Sequence, residues 1–236
     1  MIHFAGANGL GRPVRLKAME PKKVTAPRLT PIRLADLTED ATPDFRRGER
    51  YDGVRYSRAT ADGLELSGTD FVECEFDGAS FNETQLRGAG FRDCVLAEVY
   101  APVLRASRSS LRDVEIRNPR WGSAELYESG WQSVRLDGGK LDYVNLRGAK
   151  LVDVQISDCI IGELDLGSCT ATRLALSNCT IGSLDFSGAR LKDVDLRGTG
   201  FRSVSGLGSL TGLVIDDDQL TLLAPLLAAH LGITVA

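Results

Sequence analysis

The sequence predicts an all-β solenoid, a square parallel β-helix of about 20 residues per coil with an α-helical cap at its C-terminal end. Three observations carry this reading. Apolar residues, mostly large, recur at every fifth position from Tyr51 to Phe201, and the phase never slips. The residue two before each is mostly small or β-branched, as at Ala79, Cys94, Val114, Val144 and Ala189. The pattern then gives way, after residue 206, to a leucine-rich stretch with helix start and stop signals.

Neither common secondary structure has this period. A helix repeats near 3.6 residues, so steps of five would scatter the large residues around it. A strand repeats at two, so an odd step would alternate faces. A chain that turns a corner every five residues can point one large and one small residue inward from each short wall. Four corners close a coil, and coils stack through parallel-strand hydrogen bonds about 4.8 Å apart. Residues 20 apart then form columns, and the stack buries faces that one coil cannot. The predicted core stack includes Phe71, Phe76, Phe81, Phe91, Trp121, Trp131, Leu141, Leu146, Leu151, Ile156, Phe186 and Phe201.

This pattern, with runs such as "LRGAK", "FSGAR", "LDL" and "VDL", resembles the pentapeptide-repeat family, whose consensus is roughly A(D/N)Lxx. The resemblance covers about residues 51–205 and implies a right-handed quadrilateral β-helix. The expected organisation is a flexible basic tail over 1–28, a cap segment over 29–50, the repeat helix over 51–206, and a final strand and helix over 207–236. Residues 1–28 hold six Lys/Arg and one acid, and Met19 offers an alternative start. The "GANGLG" string near the start has no strand before it and does not read as a phosphate loop.

All five cysteines fall on the small inward position, with Cys74 and Cys94, and Cys159 and Cys179, 20 apart. They are expected to be buried, reduced and space-filling. Trp121 and Trp131 lie ten apart in the same narrow core, and Ala101 precedes Trp121 in its column. Either the alanines at 101 and 106 compensate for the indole volume, or Pro119 distorts the coil locally.

In the tail, Asp216–Asp218 occupy N-cap and first-turn positions and Gly232 a stop position. Pro225 is expected to kink or split the helix near Thr221. On a helical wheel Leu220, Leu223, Leu227 and Leu231 share one side, and Leu222 and Leu226 lie opposite with Ala229. One side is expected to cover the open coil end and the other to pair with a second copy, giving a homodimer. The tail also resembles the dimerising tail of a mycobacterial, gyrase-inhibiting member of the same family.

Composition restricts function. No stretch reaches the roughly 18–20 apolar residues of a membrane span, and the start lacks a secretory apolar block, so the expectation is a cytoplasmic protein without membrane contact. The two N-x-T sequons, at Asn82 and Asn178, then read as chance. The chain's only histidines, His3 and His230, have no nucleophile or carboxylate arrangement around them. No catalytic, cofactor or metal site is expected. The net charge of −4 argues against direct nucleic-acid binding.

The family resemblance raises DNA mimicry, with DNA gyrase as the partner. Residues 51–205 net −5, whereas duplex DNA of the rod's length, about 37 Å, carries about 22 negative charges. Each wall mixes signs. The reading preferred here is a scaffold whose rigid surface binds an unidentified protein, with gyrase mimicry as the alternative. Tyr100, Arg120 and Lys140 should form one outward column with Tyr143 near it, the candidate contact patch.

Overall fold

The computed structural model describes residues 24–235. Most of the expected flexible tail, with His3 and Met19, lies outside the described residues. From residue 50 the chain winds as a parallel β-helix of about nine turns. Every ladder in its body pairs residue i with i+20. Phe71 pairs with Phe91, Phe91 with Leu111, Leu111 with Trp131 and Trp131 with Leu151. On the next wall Tyr56, Phe76, Leu96, Ile116, Leu136 and Ile156 follow one another in the same way. A third wall aligns Ala101, Trp121, Leu141, Ile161, Ile181 and Phe201. The large residues of these columns are buried, apart from Phe201, which is half-buried in the last full coil.

The corners explain why five residues suffice for a wall. The residue two after each central apolar residue takes a positive φ, near 50–75°, and turns the chain. Gly53, Gly68 and Gly148 do so without a Cβ penalty, and many Asp, Asn, Glu, Ser and Arg residues do so at a cost. One corner departs from the rule. Gly63 and Glu83 are left-handed there, but Val103 and the residues stacked above it are not. From Tyr100–Arg105 onward the strand runs straight through that corner. Asn82 sits at the change, where its Oδ1 accepts the Val103 N–H at 3.2 Å.

The core is aromatic at its N-terminal end and aliphatic above. Phe71 and Phe91 stack with centroids 5.1 Å apart, and Tyr56 and Phe76 at 5.0 Å. Trp121 and Trp131 are both buried, and the ladders through them stay regular. Volume compensation is incomplete, because an apolar cavity of about 30 Å³ remains between Ala106, Ser109 and Trp121. Pro119 has only a local effect. Gly139, one coil above it, takes φ 95°, and a Cβ there would collide with the proline.

Two segments close the ends. Thr38–Glu39 pairs with Val54–Arg55, and Phe45 plugs the first coil against Tyr51, Tyr56 and Phe71. Residues 24–35 do not cross the end or hang free. They run along the outside of the rod, where the Arg28 N–H donates to Asp153 Oδ1 at 2.8 Å and the Thr30 N–H to Ser133 Oγ at 2.9 Å. This corrects the assignment of 24–28 to a flexible tail and of 29–35 to an end cap. Half-buried Pro27, Leu29, Ile32 and Leu34 give the segment an apolar side that favours the wall over water.

At the other end, Leu213–Val214 adds to Val194–Asp195, and the helix Asp217–His230 follows. Its N-terminus is a capping box. Asp216 Oδ1 accepts the Gln219 N–H at 2.9 Å, and Gln219 Oε1 accepts the Asp216 N–H at 3.0 Å. Its C-terminus is a Schellman motif. Gly232 has φ 72° and donates to Ala229 O, and Ile233 N–H donates to Ala228 O.

Two expectations about this helix are corrected. Pro225 does not split it, because Pro225 and Thr221 both face solvent, where water can satisfy the freed Thr221 carbonyl. The side against the coil is built from Gln219, Leu223 and Leu227, whereas Leu220 and Leu231 are exposed. Buried Gln219 shifts the contact face, as its Nε2 donates to Leu196 O at 2.6 Å and Thr199 O at 2.7 Å.

Candidate binding surface

The straight corner after Tyr100 shapes one wall differently from the others. Tyr100, Arg120, Lys140, Ile160, Thr180 and Gly200 lie in one outward column, in continuous ladder register. Beside them Gly122, Gly162 and Gly182 form a flat floor. A Cβ at any of the three would come closer than 3 Å to a carbonyl oxygen of the coil below, on Pro102, Asp142 or Gly162. These glycines are required by close backbone approach, and they lower the wall beside the Tyr100 column.

The result is an open groove of about 830 Å³ lined by Glu98, Tyr100, Pro102, Arg120, Lys140, Asp142, Asp158 and Ile160. A second stretch of about 610 Å³ continues past Ile160 to Phe201 and Arg202. Tyr100 and Ile160 are 51 % and 58 % exposed, unusual for residues of their size in an otherwise polar exterior. Among the described residues Arg120 and Lys140 make no ion pair, although they are register neighbours of like charge. Like charges directly opposite on a ladder are unfavourable for the fold.

Elsewhere charges neutralise one another across coils. Arg147 reaches both Asp165 and Asp185, Arg55 both Glu39 and Glu75, and Arg108 meets Glu128. Arg173 binds Asp153 through two nitrogens and holds its carboxyl below the usual carboxylate range. Among the described residues Glu73, Asp93 and Asp113, stacked 20 apart at one corner, form a short run of acids without ion pairs, but Arg92 and Arg112 lie beside them and offset their charge.

The column Tyr100–Arg120–Lys140 is thus continuous and exposed. Tyr143 is placed apart, half-buried beyond the corner, with burial first and then the Asp165 charge pushing its hydroxyl pKa up. Sequence reasoning missed Ile160 and the glycine floor. Their signal was present in Gly122, Gly162 and Gly182, which recur at one outward phase of the 20-residue coil.

The five cysteines are buried free thiols. Cys94, Cys159 and Cys179 each donate to the carbonyl two residues earlier, and burial pushes the Cys169 thiol up to about 12. Among the described residues no cluster of His, Cys, Asp or Glu is placed to hold a metal ion, and no helix is long and apolar enough to cross a membrane.

Period, corners and i+20 register agree with an independent comparison, in which residues 69–146 match the family model described as "Pentapeptide repeat region". Residues 69–146 are thus similar to the pentapeptide-repeat family. Among solved structures, this chain is similar to QnrB1, a plasmid-mediated fluoroquinolone resistance protein, at 22 % identity and a TM-score of 0.30. That likeness covers 84 % of this chain and 95 % of QnrB1. It is also similar to HetL, a pentapeptide repeat protein involved in heterocyst differentiation regulation in the cyanobacterium Nostoc, at 18 % identity and a TM-score of 0.29. Here 72 % of this chain and 91 % of HetL are covered. No curated protein matches the chain.

Proposed function

We propose that this protein is a non-enzymatic solenoid that presents a rigid surface to a partner protein, and that the Tyr100–Arg202 groove is the contact surface. The observation that carries the reading is the groove itself. It joins exposed Tyr100 and Ile160, unpaired Arg120 and Lys140, and a floor of backbone held flat by glycine. Tyr and Arg are the residue types that dominate protein contact energies, and a wall of continuous ladders presents them at little ordering cost. A photo-crosslinking residue at Tyr100 should capture a partner that one at Thr172, on the opposite wall, does not. Arg120→Glu should abolish that capture. Equal labelling from both walls would sink the assignment.

The exposed side of the C-terminal helix supports a second contact, with another copy of the chain. Leu220, Leu222, Leu226 and Leu231 are 44–71 % exposed, followed by exposed Ile233 and Val235, all at one end of the rod. Such a patch is costly in water unless covered. Light scattering should give a dimer that Leu222→Asp with Leu226→Asp converts to monomer. A concentration-independent wild-type monomer would refute it.

Gyrase is the partner the family resemblance suggests, and a supercoiling titration with and without a fluoroquinolone tests it directly. The largely cross-neutralised walls offer only the short Glu73–Asp93–Asp113 run in its favour, flanked by Arg92 and Arg112. Inhibition or drug protection at micromolar protein would establish gyrase as the partner and would move the contact from charge mimicry to the groove.

A further inference from the structure

The extended segment at residues 24–35 lies on a different part of the rod from the groove, along the corner that carries Ser133 and Asp153. From Glu73 to Asp193 this corner holds no glycine, although every residue on it has φ of 52–57°. Side chains there are strained relative to glycine, yet the neighbouring corner, from Gly48 to Gly188, uses glycine at most coils. Two of these strained side chains, Ser133 and Asp153, act as acceptors for residues 24–35. Ser133 and Asp153 are 8 % and 9 % exposed, and Arg173 from the coil above grips Asp153 with two hydrogen bonds.

What these acceptors take is main chain. The donors are the N–H groups of Arg28 and Thr30, two residues apart, as on one edge of an extended strand. The segment adds half-buried side chains in two alternating pairs, Pro27 with Leu29 and Ile32 with Leu34, offset by one residue between them. It contributes nothing to the hydrophobic core, whose first member is Phe45. A gap of about 190 Å³ also remains between Leu29–Ile32 and the wall at Val114, Glu115 and Arg135. The segment is therefore a ligand in form: extended, docked through backbone donors, and an imperfect filler of its own track.

We propose that the Ser133–Asp153 corner is a binding site for an extended polypeptide with alternating apolar side chains, which the protein's own residues 24–35 occupy in cis. A partner segment of the same chemistry would bind by displacing them, and larger side chains in the gap would favour the exchange.

The test uses a chain beginning at Asp36, which retains the whole core, and a fluorescein-labelled peptide of residues 24–35. Fluorescence anisotropy should show saturable binding to the shortened chain and at least tenfold weaker binding to the intact one. Asp153→Ala in the shortened chain should weaken binding at least tenfold, with circular dichroism confirming the β-helix. A peptide N-methylated at Arg28 and Thr30 keeps every side chain and loses both donors, so it should also bind at least tenfold more weakly. The proposal fails if the shortened chain shows no saturable binding, if the intact chain binds equally well, or if the N-methylated peptide binds as tightly as the unmodified one.

Discussion

Replacing Gln219 with alanine should release the C-terminal helix from the rod while leaving the rod folded. Gln219 is 4 % exposed and is held from both ends. Its Nε2 donates to Leu196 O and Thr199 O, and its Oε1 completes the capping box with Asp216. The substitution removes two amide–carbonyl bonds; Leu196 O keeps the Thr199 N–H as donor, but the Thr199 carbonyl is left without a partner, about 1–3 kcal/mol for the unsatisfied group. Losing half of the capping box adds roughly 0.5–1 kcal/mol. The total is about 1.5–4 kcal/mol, or a roughly 10- to 700-fold change in the docking equilibrium at 1.4 kcal/mol per decade.

The effect should stay local, because a solenoid transmits stability mainly between neighbouring coils. Hydrogen exchange is therefore the right assay. Amides of Leu223–Ala229 should lose protection by that factor, while those of the Leu141–Leu151 coils stay unchanged. A change below about threefold, under 1 kcal/mol, would mean that Gln219 does not hold the helix.

Gln219→Glu adds a pH dependence. A carboxylate would face the same two carbonyl oxygens, so the introduced carboxyl has a folded-state pKa raised above its unfolded value, about 4.3. Docking is then strongest below the unfolded pKa and is lost as pH rises through the raised folded value. Protection that instead increased with pH would contradict the geometry.

Four further outcomes follow from the same coordinates. Gly162→Ala places a Cβ against the Asp142 carbonyl and should lower stability by about 1–3 kcal/mol, read from the urea midpoint. Gly130→Ala, which meets nothing within 4 Å, should be neutral or slightly stabilising. Ala106→Val fills the cavity of about 30 Å³ beside Trp121 and should raise stability by about 0.7 kcal/mol at 24 cal/mol per Å³, a calorimetric rise of about 2 °C; a fall would show that the void is too narrow for the added methyls. The five buried thiols should resist alkylation at pH 8 in the native protein and all react after denaturation, and rapid native labelling would show that the coils open.

The solenoid was legible because its signal is redundant. One inward position could be an accident, but an unbroken phase from Tyr51 to Phe201 has a single geometric solution. The burial of the five cysteines followed from the same phase. The candidate surface was only partly legible. Register alone placed Tyr100, Arg120 and Lys140 in line, but the depth of the groove beside them depends on how the corner at Val103 turns. The helix was legible at its ends, where Asp216 and Gly232 act locally. Its packed face was not, because a polar residue, Gln219, supplies the central contact.

Period, coil length, column membership and helix caps were determined by the sequence itself. Each depends on residues within one coil or one helical turn, and repetition multiplies a weak local preference into one answer. Three features were decided only in the tertiary structure: the straight corner with its glycine floor, the face on which the helix docks, and the path of residues 24–35. The Arg28–Asp153 contact joins residues 125 apart in the chain. Contacts of that kind obey no period, because they depend on which surfaces the finished stack leaves beside one another.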